Sequence, residues 1–192
     1  MPSSLLPETV VPLLRGRFGR PYLYVQVTPS TQRLLGEEHH EGAVAVTEEQ
    51  TEGRGRLGRR WHSPPGVSLL FSILLEPPVE TARLPELSLV AGEACAGAIA
   101  AVTGTAPEIK LPNDILISGR KVAGILAEAR EGRVVLGIGV NVNVSADDLP
   151  TEVDVPATSL LAETGHEIDR AELLVELLDR LERAYDPWAR GT

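Results

Sequence analysis

The sequence predicts an α/β (α+β) fold: a mixed, largely antiparallel sheet flanked by helices, of the kind that packs one apolar sheet face under helical cover. Three observations predict it. Short strand-like segments rich in β-branched and aromatic residues alternate with helical ones. Segments 114–118, 121–130 and 133–144 follow one another through tight turns at Ser118-Gly119 and Glu131-Gly132, which reads as an antiparallel meander. Segments 86–102 and 169 onward each carry a single apolar stripe, as helices covering a sheet do. A length of 192 residues suits one domain over 1–192, with its motif-bearing core at about 22–185.

Taken in order, PYLYVQVT (21–28) reads as a strand, followed by a polar helix from about Ser30 to His40 and a second strand at 41–49. A loop closed by Pro64, Pro65 and Gly66 leads to a buried strand at 67–75. The helix at 86–102 has apolar residues at 87, 90, 91, 94, 95, 98, 99 and 102, and its small residues Gly92, Ala94, Cys95, Ala98 and Ala101 suit close packing on a sheet. In the last segment of the meander Val134, Leu136, Ile138, Val140, Val142 and Val144 alternate with Gly137, Gly139, Asn141 and Asn143. Strand side chains alternate between faces. One face therefore packs on the core, and the other is stripped to backbone and then offers two amides. A ligand lying flat on that face would explain glycines that otherwise weaken a strand; a bulge or a packed helix is the alternative. The C-terminal helix starts near Asp169, with Glu172 three residues on as a capping pair. Residues 174, 177, 178, 181, 185 and 188 form its stripe, and Pro187 is expected to end or kink it.

Composition narrows the function. A net charge of −9 argues against a general nucleic-acid binder, which is usually basic. No apolar run is expected to reach the ~20 residues of a membrane span, and the N-terminus lacks the basic start of a secretory signal. One cysteine permits no internal disulfide and fits a cytoplasmic protein. Four scattered histidines and one cysteine give no zinc spacing. Of 18 basic residues only Lys110 and Lys121 are lysine, and both fall in one dense segment. That is either chance or a need for a compact ammonium at those two positions.

Residues 53–61, GRGRLGRRW, match the pattern G-x-G-x-x-G. The dinucleotide fingerprint requires a strand just before it and a helix just after. Residues 48–52 intervene before Gly53, and Pro64-Pro65 forbids a helix after it. No Lys-Ser/Thr follows the glycines, so a phosphate loop of the Walker type is excluded as well. Flexible glycine backbone with Arg54, Arg56 and Arg59 can instead surround several oxyanions, as a substrate carrying a carboxylate and phosphates would need. A solvated basic loop is the alternative.

GRGRLGRRW with Gln50 ahead of it, KLPNDIL (110–116), GRKVAGIL (119–126) and GIGVNVN (137–143) together resemble the catalytic domain of the biotin protein ligases, also called biotin–acetyl-CoA-carboxylase ligases. The resemblance implies a fold related to class II aminoacyl-tRNA synthetases and lipoyl ligases. It also implies a reaction in which biotin and Mg2+-ATP give biotinyl-5′-AMP, whose acyl group passes to a lysine of a biotin carboxyl carrier protein. By resemblance, Ser30, Thr31, Gln32 and Gln50 hold biotin. Gly53, Arg54, Gly55 and Arg56 close over biotin and the adenylate, Arg59 meets the phosphates of ATP, and Trp61 walls the pocket. Lys110, Asn113 and Asp114 form the ATP-side element, with Leu111 where the family has tryptophan. Lys121 contacts the carboxylate and the α-phosphate, Gly137 and Gly139 present backbone to biotin, and Asn141 reads adenine. Lys121, Arg54 and Arg56 are the expected catalytic groups, with no protein-held metal site. DNA binding and membrane association are not expected, and a homodimer is compatible with the resemblance. Relatives usually continue into a small SH3-like domain, which is not recognised before Thr192. A lipoyl or octanoyl ligase or transferase, or a non-catalytic biotin- or nucleotide-binding remnant, are the other readings.

Overall fold

A computed structural model describes residues 4–78, 83–151 and 154–191. Seven strands form one sheet: β1 (Tyr22–Thr28), β2 (Val44–Gln50), β3 (Leu69–Leu75), β4 (Glu108–Lys110), β5 (Asp114–Ile117), β6 (Arg120–Arg130) and β7 (Arg133–Val140). Their order across the sheet is β1-β2-β3-β7-β6-β5-β4. β1 and β2 are parallel and every other neighbouring pair is antiparallel, so the sheet is mixed and largely antiparallel, as expected. Four α-helices accompany it: α1 (Pro7–Val10), α2 (Leu84–Thr103), α3 (Leu160–Thr164) and α4 (Arg170–Arg190).

β7 is central, with β3 on one edge and β6 on the other. Val134, Leu136, Ile138 and Val140 point from it into the main core, where Leu87, Ala91, Cys95 and Ile99 of α2 meet Leu174, Leu177, Leu178 and Leu181 of α4. Burial pushes the Cys95 thiol up to about 12, so it packs as a small apolar group rather than a reactive one. Residues Pro85–Thr103 are long and apolar enough by composition to cross a membrane, with a mean hydropathy of 1.4, contrary to the expectation that no such run exists. The apolar side of this helix is spent on α4 and the sheet.

The structure corrects several local expectations. Residues 30–40 form no α-helix; only Thr31–Leu34 make a 3₁₀ turn. Ser30, Thr31 and Gln32 are each 3% exposed, and three successive inward side chains do not fit a helix, where neighbours are about 100° apart. β7 ends at Val140 instead of continuing to 144; beyond it single backbone bonds remain, Asn141 N–H to Val122 O of β6 and Asn143 N–H to Val67 O ahead of β3. Pro187 does not end α4, which runs to Arg190 before Gly191 (φ 72°) closes it. The start of α4 is as expected, with Asp169 Oδ1 accepting from the amides of Ala171 and Glu172. The short elements α1, β4 and α3 carry too little periodicity to be read from sequence.

One ion pair ties α4 to the sheet. Arg170 Nη1 lies 2.6 Å from Glu48 Oε2 and also donates to Ser68 O. The two residues are 3% and 8% exposed. Removing one member of such a pair leaves the other charge buried without compensation. Arg170→Ala is therefore expected to destabilise the fold by about 3–5 kcal/mol in a urea titration, and a loss within the range of surface substitutions would contradict this role.

Candidate active site

A cleft of about 720 Å³ opens on the sheet face away from α2 and α4. Its floor is made by strands that lack side chains where they cross: Gly124 of β6 pairs directly with Gly139 of β7, and Gly137 lies beside Ser72 and Leu126. The spacing has a steric cause. A Cβ on Gly137 would stand 2.8 Å from Gln32 Nε2, one on Gly139 2.7 Å from the Trp61 indole, and one on Gly124 2.9 Å from the same ring. Gln32 and Trp61 thus rest on bare backbone. The alternation of β7 is used as the sequence predicts, but only Asn141 of its two amides faces the cleft. Asn143 instead donates to Ile168 O and accepts from Ile168 N–H, fixing the approach to α4.

One end of the cleft is polar and neutral. Gln50 Oε1 accepts from the Thr31 amide and hydroxyl at 2.9 and 3.2 Å, and the Thr31 and Ser72 hydroxyls are 2.7 Å apart. Gln32 Nε2 donates to Leu126 O, which leaves its buried Oε1 with no hydrogen-bond partner. Ser30 lines the same end.

The arginine loop forms one side. Its turn is held by Gly55 N–H to Arg59 O, Trp61 N–H to Gly53 O and a bridge between Arg54 and Arg60. Leu57 at its tip has φ 57° and is 90% exposed. Arg54 pairs with Glu128 at 2.9 Å and Arg59 with Asp154 at 2.8 Å. Arg54, Gly55, Arg56, Arg59 and Trp61 line the cleft. Gly53 borders an adjoining hollow of about 510 Å³ that shares the arginine loop with the cleft. A Cβ there would meet Trp61 O at 2.4 Å and Gln50 Nε2 at 3.3 Å, so its lack of a side chain lets the loop close on Trp61 and Gln50.

The opposite side comes from the β4–β5 turn and the start of β6. Lys110, Asn113, Asp114 and Lys121 all line the cleft. Lys121 Nζ is 2.7 Å from Asp114 Oδ1 and 5.6 Å from the centre of the Trp61 ring. Asn113 donates through side-chain Nδ2 to Ile125 O and accepts through its backbone carbonyl from Ile125 N–H, clamping the turn to β6. Sequence reasoning missed the remaining wall, where Pro150, Asp154, Val155 and Ala157 close the cleft beside Lys121. That segment has no periodicity or motif to mark it. It also missed Gly124, whose interior position in a strand was a legible signal. The cleft contains cations and hydrogen-bonding groups, and the Thr31 and Ser72 hydroxyls are engaged with each other. Such a site can gather and orient anions.

Gly137→Val is expected to leave β7 intact, since valine suits a strand, and to drive Gln32 out of its place. Titration calorimetry with biotin should register no binding to a variant whose melting temperature is near that of the parent. Unaltered affinity would mean that the bare face is not a ligand floor.

Residues 24–145 match the model of the biotin/lipoate A/B protein ligase family. The chain is 41% identical over 176 residues to the bifunctional ligase/repressor BirA of Bacillus spizizenii, covering 87% of this chain and 54% of that protein. It is 38% identical over 154 residues to the biotin–[acetyl-CoA-carboxylase] ligase of Mycobacterium tuberculosis, covering 77% and 56%. The chain thus spans about half the length of the curated relatives it matches. Among solved structures, the biotin protein ligase of Aquifex aeolicus in complex with biotin and ATP superposes with a TM-score of 0.80 at 34% identity, over 88% of this chain and 72% of that one. The Leishmania major biotin protein ligase in complex with biotinyl-5-AMP superposes with a TM-score of 0.68 at 25% identity, over 88% and 78%. With the glycine floor and the arginine loop in one cleft and a family match over most of the sheet, this chain belongs to the biotin/lipoate A/B protein ligase family.

Proposed function

We propose that this chain activates biotin with ATP as biotinyl-5′-AMP and transfers the biotinyl group to a lysine of a biotin carboxyl carrier protein. The observation that carries this reading is the polarity of the cleft: a neutral hydrogen-bonding end around Gln32, a flat glycine floor, and a cationic end around Lys121 and the arginine loop. Biotin has the same order of parts: a ureido edge, the apolar remainder of its fused bicycle, and a carboxylate at the end of an alkyl chain. The ureido N–H groups would donate to the unmatched Gln32 Oε1 within the Ser30, Thr31 and Gln50 network. Gly137 and Gly139 would lie under the ring, and Trp61 would move or turn to cover it.

The first step forms a bond between a biotin carboxylate oxygen and the α-phosphorus of ATP and expels pyrophosphate. The nucleophile belongs to the substrate, so the protein's work is to bring two anions together and to neutralise the charge that builds on the phosphate. Lys121 would exchange Asp114 for the carboxylate and α-phosphate. Arg54, Gly55 and Arg56 would close over them, and Arg59 would exchange Asp154 for the outgoing phosphates. Lys110 would add charge on the triphosphate side, Asn113 would hold the turn, and Asn141 would meet adenine. Mg2+ would enter with ATP, since this ion is commonly held by substrate phosphates and one or two carboxylates. Asp114 and Asp154 are carboxylates on the cleft wall that fit this. In the second step the carrier's amine attacks the acyl carbon and AMP departs.

The polar end favours biotin over lipoate within this family. A dithiolane offers no N–H to Gln32 Oε1, and a site built to hydrogen-bond a substrate discriminates strongly against an analogue that leaves its polar groups unmatched. Purified chain should therefore support ATP–pyrophosphate exchange with biotin and not with lipoate; exchange with lipoate alone would overturn the assignment, and exchange with neither would reduce the chain to a binding module. Lys121→Ala should slow biotin-dependent exchange by on the order of 10²-fold, as loss of a transition-state charge does, with little change in melting temperature. A stable variant of undiminished activity would remove Lys121 from the mechanism.

A further inference from the structure

Lys121 and Asn141 stand on different strands, yet one short segment touches both. Lys121 N–H donates to Pro156 O at 2.7 Å, and Lys121 O accepts from Thr158 N–H at 2.8 Å. Residues 156–158 thus form a parallel bridge at Lys121. Thr158 O in turn accepts from Asn141 Nδ2 at 3.0 Å. Only the amide nitrogen can donate to a carbonyl, so this bond fixes which way the Asn141 amide faces. Thr158 is fully buried, and its hydroxyl donates to Glu163 Oε1 at 2.5 Å. Glu163 sits on α3, its side chain is 8% exposed, and the same Oε1 is 2.8 Å from Arg120 Nη2, the residue preceding Lys121. Lys121 and Asn141 line the cleft, whereas Thr158 and Glu163 stand behind it.

We propose that Glu163 is a positioning residue: through Thr158 it holds the Lys121 backbone and the Asn141 amide in register, and so sets the preference of the site for a 6-aminopurine nucleotide. The proposal rests on the ligase reading above. Its chemistry follows from the orientation of the amide. With one Nδ2–H bonded to Thr158 O, Asn141 offers a base its remaining Nδ2–H, which suits a ring nitrogen of adenine, and its carbonyl oxygen. That oxygen accepts from the exocyclic amine of adenine and repels the carbonyl that hypoxanthine carries at the same position. Without Glu163 the buried Thr158 hydroxyl loses its acceptor, the 156–158 segment keeps only its backbone bonds to Lys121, and Thr158 O holds the Asn141 amide less firmly.

The test uses biotin-dependent exchange with ATP and with ITP as alternative nucleotides. Glu163→Ala is expected to raise KM for ATP by ~10-fold or more, as loss of a hydrogen bond to a charged group does. KM for biotin should rise less than KM for ATP, because Lys121 reaches the biotin carboxylate through a flexible stem whereas the Asn141 amide is held directly by Thr158 O. The ATP-over-ITP preference should shrink. Glu163→Gln keeps an acceptor oxygen for Thr158 and should recover most of the preference. Thr158→Val removes the hydroxyl alone and should reproduce the Glu163→Ala pattern if that variant does not fold. An unchanged nucleotide preference in Glu163→Ala or Thr158→Val, or parallel rises in KM for ATP and biotin that track lost thermal stability, would overturn the proposal and assign Glu163 to the fold alone. Absence of exchange in the parent chain would overturn the ligase reading itself, a result distinct from an active parent with indifferent variants.

Discussion

The site depends on one constraint at β7. This strand must be hydrogen-bonded on both edges, to β3 and β6, and must still be bare on one face. Its valines and leucine hold the core beneath, while Gly137 and Gly139 leave room above for Gln32 and Trp61 to touch backbone. Two-sided pairing makes the glycines tolerable, because the ladder supplies the order that glycine lacks. Gly124 on β6 extends the same strip across the strand boundary. A side chain at any of the three would have to displace Gln32 or Trp61, so the bare strip is what lets these two cleft side chains settle onto the sheet.

The electrostatics follow a second pattern. In an acidic chain, three cations of the cleft are matched locally: Arg54 with Glu128, Arg59 with Asp154, and Lys121 with Asp114. The Arg59–Asp154 pair is well exposed on both sides. Exposed pairs of this kind contribute roughly 0–1 kcal/mol. They keep like charges from driving the loop apart, yet they can be exchanged for a phosphate or carboxylate at small cost. The Arg170–Glu48 pair is different in kind, being buried and hydrogen-bonded to backbone as well; it belongs to the framework that joins α4 to the sheet.

The amides show how tertiary context divides residues that look alike in sequence. Asn113, Asn141 and Asn143 all fall in motifs that the family resemblance marks. Asn113 clamps a turn to β6, Asn143 brackets Ile168, and only Asn141 combines a place on the cleft wall with a bond to the segment behind Lys121. A side-chain amide can serve backbone or ligand equally well by chemistry. Its partners decide which.

Much of the fold was legible because it rests on local rules. The meander has turn residues at Ser118-Gly119 and Glu131-Gly132, the α4 cap is written at Asp169, and the alternation along 134–140 marks both the core face and the bare one. The functional motifs were legible because the chemistry needs charged and glycine residues at short spacing. What the sequence could not supply were features set by contacts between distant segments. The inward turn of Ser30–Gln32 replaced a helix because the cleft takes three successive side chains. The wall at Pro150, Asp154, Val155 and Ala157 is placed by contacts with distant segments, Asp154 with Arg59 and the backbone of Pro156 with Lys121. The sequence by itself determined the type of sheet, the caps and the glycine-bare face, since periodicity and turn chemistry act within a few residues. Only the tertiary structure decided which of Asn141 and Asn143 faces the cleft and that Glu163 stands behind Lys121, because each depends on a hydrogen bond or ion pair whose partner lies far along the chain.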